Sequence, residues 1–349
     1  MARVLVTGAN GLLGGHLVRE LLGQGHEVHA LVRPTSDTQT LADLPIDRFY
    51  GDVRDRPSFR KAAEGCEVIY HCAAVFSYWG YSLEEMESTA KQGSEVLVSV
   101  AKDAGVKRVV LTSSTAVLGG SPEPRLLDES ARLSAAEVPD YFRSKVLQED
   151  TALAEARDKK LDMVCTLPGI IVGPYDFRPS ASLATITTYL QDPLRLTFHG
   201  GASLVHAQDV ARGHILAAEK GESYESYILA ADNFHWAEIH RQISQKAGTY
   251  GPGFQLGKGM AVSSAGLMEL AAKTFNMTPM ATQALAQQVG TYFWYTSQKA
   301  QDLGYRYRSL EDSLVDTLAW LSKSEHLKAG QKERLLRQNS LKEASLSYN

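Results

Sequence analysis

Tyr141 and Lys145 stand four residues apart, a spacing that puts both on one face of a helix. An unperturbed phenol has a pKa of about 10, too high to exchange protons readily near neutrality. A neighbouring ammonium favours the phenolate and lowers that value, so the pair has the makings of a general acid and base. Upstream, Thr112-Ser113-Ser114 closes an apolar run, where a hydroxyl can face a crevice and hydrogen-bond a carbonyl. Serines also end strands by bonding their own backbone, and the tyrosine downstream tips the balance toward chemistry. The same spacing recurs at Tyr295 and Lys299, deep in the C-terminal region, where packing or surface roles are expected.

A reagent for this proton chemistry is implied at the start of the chain. Val4-Leu5-Val6-Thr7 breaks into Gly8, Gly11 and Gly14 and then into a helical pattern. A strand whose glycines open a helix presents bare backbone N–H groups to a pyrophosphate. The second strand ends in Val32-Arg33, where NAD-selective nucleotide domains carry an acid for the ribose 2′-OH. Valine removes that acceptor, and a planar guanidinium beside it can pair with a 2′-phosphate. The expected cofactor is therefore NADP(H) in preference to NAD(H). A surface arginine at a strand end is the plainer alternative.

The elements that hold these residues alternate. Strands are expected at Val4–Thr7, Glu27–Val32, Phe49–Tyr50, Val68–Cys72, Arg108–Thr112 and Met163–Leu167. Helices are expected at Leu12–Leu22, Leu83–Ala104 and Tyr141–Arg157, the second closed by Gly105. This alternation predicts an α/β fold with a doubly wound parallel (Rossmann) sheet, and ligands then bind at the carboxyl ends of its strands. The regular pattern fades after Gly173-Pro174. A smaller, mostly helical substrate lobe is expected over 174–324, with about 204–230 returning to the nucleotide domain of 1–173. Residues 325–349 are polar and read as a solvated helix or frayed tail.

Bulk properties narrow the class. Of 349 residues 44% are hydrophobic, enough for a full core, and the formal net charge of −4 disfavours nucleic acid as a partner. Three scattered cysteines form neither a disulfide framework nor a metal set with the histidines. No uncharged apolar run reaches the length of about 20 residues that spans a bilayer. A cytoplasmic protein without a metal is expected.

Taken together, these residues resemble the extended short-chain dehydrogenase/reductase family from Val4 to about Leu321. Thr7-Gly8-Ala9-Asn10-Gly11-Leu12-Leu13-Gly14 is similar to its TGxxGxxG loop, and Gly51-Asp52-Val53 to its adenine-contacting segment. His71-Cys72-Ala73-Ala74 resembles the stretch after the fourth strand, and Leu111–Gly119 the serine strand, which maps the catalytic hydroxyl to Ser114 rather than Ser113. Tyr141 and Lys145 match the YxxxK pair. Leu167-Pro168-Gly169-Ile170-Ile171-Val172-Gly173-Pro174 resembles the proline loop beside the nicotinamide, and Val205-His206-Ala207-Gln208-Asp209-Val210 a later VHxxDV element.

The resemblance implies that Thr7, Gly8, Asn10, Gly11, Leu12, Leu13, Asp52, Val53, Cys72, Ala73, Ala74, Pro168, Gly169 and Ile171 contact cofactor together with Arg33, Tyr141 and Lys145. It implies further that Tyr141 is the acid in reduction, that Lys145 lowers its pKa and holds the ribose, and that Ser114 polarises the carbonyl. The family's usual asparagine in the helix after the fourth strand falls at Ala90, so no proton relay is expected there. Leu167 stands where many sugar-nucleotide members have arginine. Arg33 and the proline loop look more like the dihydroflavonol-4-reductase and 3β-hydroxysteroid dehydrogenase branches.

Phe76, Tyr78, Trp79, Tyr81, Tyr175 and Phe177 follow the fourth strand and the proline loop, which predicts an apolar or aromatic carbonyl substrate bound near Phe76, Tyr78, Trp79, Ser114 and Tyr175. His71, closing a buried strand, is expected to be structural or cofactor-lining. The leading expectation is an NADPH-dependent ketone or aldehyde reductase, working as a monomer or homodimer on a small molecule away from membranes. The alternatives are a sugar-nucleotide epimerase or dehydratase with tightly bound NAD, and a non-catalytic NADP(H)-sensing protein.

Overall fold

A computed structural model describes residues 1–73, 83–134, 140–275 and 282–348 of the chain. The first half builds β1 (Arg3–Thr7), α1 (Leu12–Gly23), β2 (Glu27–Val32), β3 (Asp47–Tyr50), α2 (Arg56–Ala63), β4 (Val68–His71) and α3 (Leu83–Asp103). It continues with β5 (Arg108–Thr112), α4 (Asp140–Asp158) and β6 (Asp162–Pro168). Then come β7 (Ile170–Val172), α5 (Ala181–Gln191), β8 (Leu196–Phe198), β9 (Gly201–His206), α6 (Ala207–Lys220), β10 (Ser226–Leu229) and β11 (Asn233–His235). The chain ends with α7 (Trp236–Ala247), β12 (Phe254–Leu256), α8 (Lys258–Phe275), α9 (Gln283–Ala286), β13 (Tyr292–Phe293), α10 (Gln298–Leu303), α11 (Leu310–Leu321), α12 (Ala329–Leu336) and α13 (Asn339–Ala344).

The central sheet has seven parallel strands in the order β10-β6-β5-β4-β1-β2-β3. Its inner strands are largely apolar because helices cover both faces, whereas the edge strand β3 (Asp47-Arg48-Phe49-Tyr50) is mostly exposed. Alternate residues part to the two sides. Val4, Val6, Val110 and Val164 enter a core with Leu17 of α1 and Val210 of α6, while Leu5, Val109, Leu111 and Met163 pack with Phe59, Leu97 and Ala152 on the other face. Arg108 joins three elements, pairing with Asp162 at 2.7 Å and donating to the carbonyls of Ala218 and Gly221 at 2.8 and 3.0 Å, where it caps the end of α6. Strand order reverses between β1 and β4, and that switch point opens a crevice at the carboxyl ends of the strands.

The second core unites Leu183 and Ile186 of α5, Ile239 and Ile243 of α7, and Leu314 and Leu318 of α11. A small sheet of β7, β9, β11 and β13, together with the β8–β12 pair, connects it to the main sheet. The polar C-terminal stretch is not a frayed tail. Leu327, Leu335 and Leu341 are fully buried in this core, because α12 and α13 turn their few leucines inward and leave their charges to solvent. Among the described residues, no helix is long and apolar enough to cross a membrane.

Leu341→Ala should therefore lower the unfolding free energy by about 2–4 kcal/mol in denaturant titration. A frayed segment would leave the transition unmoved.

Candidate active site

The glycine loop owes its shape to close packing. Gly8 adopts a φ of +66°, and a Cβ there would lie 2.7 Å from the backbone N of Ala73, beyond β4. A Cβ on Gly14 would meet the Gly8 carbonyl at 2.2 Å, so α1 can approach β1 this closely only with glycine there. Gly11 is different. Its φ of −81° suits any residue, and the one atom near a virtual Cβ is the Gly8 oxygen at 3.3 Å. Packing constrains this position less than Gly8 or Gly14. α1 also begins with no side-chain cap and no acid in its first turn, which leaves its amino-terminal N–H groups to an anion. These features fit a nucleotide pyrophosphate held by Gly8, Asn10, Gly11, Leu12 and Leu13.

Asn10 fastens this loop to the one after β2, its side chain donating to Asp37 O at 3.0 Å while its carbonyl accepts from the Thr40 hydroxyl at 3.1 Å. Arg33 opens that second loop and is exposed. Asp52 follows β3 and accepts from Arg54 Nε and Nη2 at 2.9 and 3.0 Å; this bond, with Arg33 adding to it, holds its carboxyl below the usual carboxylate range. Val53 packs beneath, against the core that holds Phe59.

At the switch point the Thr7 hydroxyl accepts from Ala73 N–H at 3.3 Å and lies 3.1 Å from His71 Nδ1. Burial pushes His71 down to about 3, so it is a neutral structural group. Cys72 is held by the Thr112 hydroxyl at 3.4 Å. Thr112 and Thr166 converge on Nε2 of His214 at 2.9 and 2.7 Å, and its Nδ1 donates to Val210 O, bonds that tie β5, β6 and α6 together.

Ser113 and Ser114 diverge, as neighbours on a strand must. Ser113 is buried and donates to Glu149. Ser114 is half-buried, and its oxygen accepts from Ala116 N–H at 3.1 Å, leaving its proton available to a substrate oxygen.

Lys145 is 5% exposed, and its ammonium donates to Gln148 Oε1 at 2.9 Å. Burial lowers its pKa to about 8, against the opposing pull of Glu149 and Cys72. The backbone of Tyr141 lies in the first turn of α4, and its side chain is outside the described residues. Ala74, Phe76, Tyr78, Trp79 and Tyr81 also fall outside them.

The second tyrosine–lysine pair is separated in space. Tyr295 is buried and donates to Gly119 O at 2.6 Å, and Lys299 pairs with Glu225 at 2.6 Å. Tyr175, with a φ of +67°, carries Arg19 over its ring at 4.4 Å and meets Tyr348 edge-on at 5.6 Å; Phe177 meets Trp320 at 5.6 Å. These contacts place both rings among Arg19 of α1 and the C-terminal residues Trp320 and Tyr348. Pro168 is buried, its carbonyl accepting from Thr115; Gly169 crosses Ser203 O closely; Ile171 pairs with Val205. The sequence reading missed Glu149, although its place four residues after Lys145 puts it on the same helix face.

Residues 4–230 match the NAD dependent epimerase/dehydratase family, and the chain belongs to that family, the extended short-chain dehydrogenase/reductases. A protein of Synechocystis sp. bearing the dihydroflavonol 4-reductase name is 29% identical over 93% of this chain and 95% of its own. Sterol demethylase protein B of Methylococcus capsulatus is 36% identical over 70% and 74%. The crystal structure of gox2253 superposes with a TM-score of 0.82 at 32% identity, over 94% of this chain and all of that one. An oxidoreductase with a nicotinamide cofactor and a small-molecule substrate is the class these findings define.

Gly11→Ala should fold normally and lose roughly tenfold in cofactor affinity, about 1.4 kcal/mol, by fluorescence titration. Gly14→Ala should instead lower the thermal midpoint, since the clash lies within the protein.

Proposed function

We propose that this protein is an NADPH-dependent reductase that converts a ketone or aldehyde, apolar or aromatic, to its alcohol. The observation that carries the reading is a buried lysine with a pKa of about 8, one helical turn from Tyr141 and at the same strand ends as Ser114. The bound nicotinamide supplies the hydride to the carbonyl carbon. Ser114 donates to the carbonyl oxygen and polarises it. Tyr141 gives that oxygen its proton, and the Lys145 charge stabilises the phenolate left behind. Lys145 also holds the ribose, and Arg33 pairs with the 2′-phosphate. The reductase name of the Synechocystis relative, and leucine rather than arginine at position 167, favour reduction over sugar-nucleotide chemistry. The division into a nucleotide domain of 1–173 and a lobe of 174–324, sharing 204–230, fits this reading.

Tyr141→Phe should cut NADPH consumption on a panel of aromatic and alicyclic carbonyls by about 10²–10⁴-fold. An unchanged rate would sink the mechanism, and stoichiometric NAD released from denatured protein would mark an epimerase instead. For Arg33→Ala, the NADPH-to-NADH affinity ratio should fall at least about tenfold; an unchanged ratio removes the arginine from the 2′-phosphate. NADPH affinity should also weaken as pH rises through about 8, where Lys145 loses its charge, and Lys145→Met should flatten that profile.

A further inference from the structure

Glu149 has no solvent exposure, yet it carries a carboxylate one turn beyond Lys145 on α4. Such a group is tolerated only when its oxygens are bonded. Three partners supply those bonds. The Ser113 hydroxyl donates from the end of β5, Arg132 Nη1 donates at 2.7 Å, and the Ser226 hydroxyl donates at 2.8 Å from the start of β10. Arg132 also binds Asp150 at 2.6 Å, on the stretch that leads toward Tyr141. The carboxylate thus joins the serine strand, the approach to the tyrosine, the lysine helix and the sheet edge.

We propose that Glu149 is a positioning residue: its carboxylate, clamped by Ser113, Arg132 and Ser226, sets the spacing between Ser114 and the Tyr141–Lys145 helix. The inference rests on the reductase reading of that site. Ser113 and Ser114 are consecutive, so a pull on one hydroxyl orients the backbone that carries the other. The clamp is also electrical. Lys145 is faced by Glu149 from its own helix, by Cys72 beyond β4, and by His71 of β4, which stays neutral. Glu149 in turn is faced by Arg132, by Asp150 on α4 and by the Cys165 thiol of β6, which burial keeps protonated. Within that set Glu149 is the carboxylate that supports the lysine's charge against burial.

Glu149→Gln keeps the shape and removes the charge. Turnover should fall about tenfold or more with the carbonyl KM little changed. The alkaline limb of kcat and the Lys145 titration, followed by NMR of labelled lysine in the cofactor-free protein, should both move down by about one pH unit. Ser113→Ala, which retains the carboxylate, should lower kcat less and leave the Lys145 titration in place; it stands in if Glu149→Gln does not fold. Lys145→Met is the control. If Lys145→Met is impaired while Glu149→Gln keeps wild-type kcat and titration, the positioning role is overturned and the reading of the site survives. If Lys145→Met turns over normally, the reading itself fails, and with it the proposal.

Discussion

The structure turns on one close approach. The chain must cross from β1 into α1 directly beside the exit from β4, and the backbone of Gly8 lies where any Cβ would strike Ala73. Gly14 repeats the demand from the helix side, where α1 rests on the Gly8 carbonyl. Because β1 and β4 are neighbours at the point where strand order reverses, this packing brings the glycine turn and the carboxyl ends of both strands to one crevice. Two glycines build the turn, and packing constrains the third, Gly11, least.

How much of this was legible follows from how each signal arises. The inner strands of the central sheet are mostly apolar and buried, so β2 and β5 match their sequence readings residue for residue, whereas the exposed edge strand β3 shows only its last two residues, Phe49 and Tyr50, as a strand signal. The small strands β7, β8, β11, β12 and β13 span two or three residues each, too short for any period to register. α12 and α13 were hidden for another reason: one or two leucines per turn among lysines and arginines read as solvated, and only docking on α11 reveals an inward face. Glu149 escaped because a carboxylate on a helix reads as surface, whereas its three donors come from segments distant in sequence. The sequence puts Tyr175 and Phe177 in the loop after β7, and the partners of their rings, Arg19, Trp320 and Tyr348, come from segments distant in sequence.

The two tyrosine–lysine pairs show why spacing alone carries little chemistry. Tyr295 is enclosed and hydrogen-bonded to a backbone carbonyl, an arrangement that retains the phenolic proton, and burial raises its pKa further. Its lysine neighbour is engaged with Glu225 and the Tyr227 ring, so the ammonium charge is spent away from the phenol. Lys145 is the reverse case, a cation drawn inside with one carboxylate nearby and, among the described residues, no ion pair of its own. The same spacing thus gives two lysines opposite environments, one at the surface and one drawn inside.

That environment has a thermodynamic consequence. A lysine lowered to about 8 on folding binds fewer protons than the same lysine in the unfolded chain between that value and the ordinary lysine range near 10.5. Stability from this group therefore rises with pH across that window, and below about 8 the buried charge opposes folding in full. Glu149 reduces the opposition but does not remove it, since its carboxylate is already shared among Ser113, Arg132 and Ser226. A leucine in place of Lys145 would satisfy the core better. A buried ammonium that opposes folding is the kind of group retained for function, and its charge is what the proposed reaction would use.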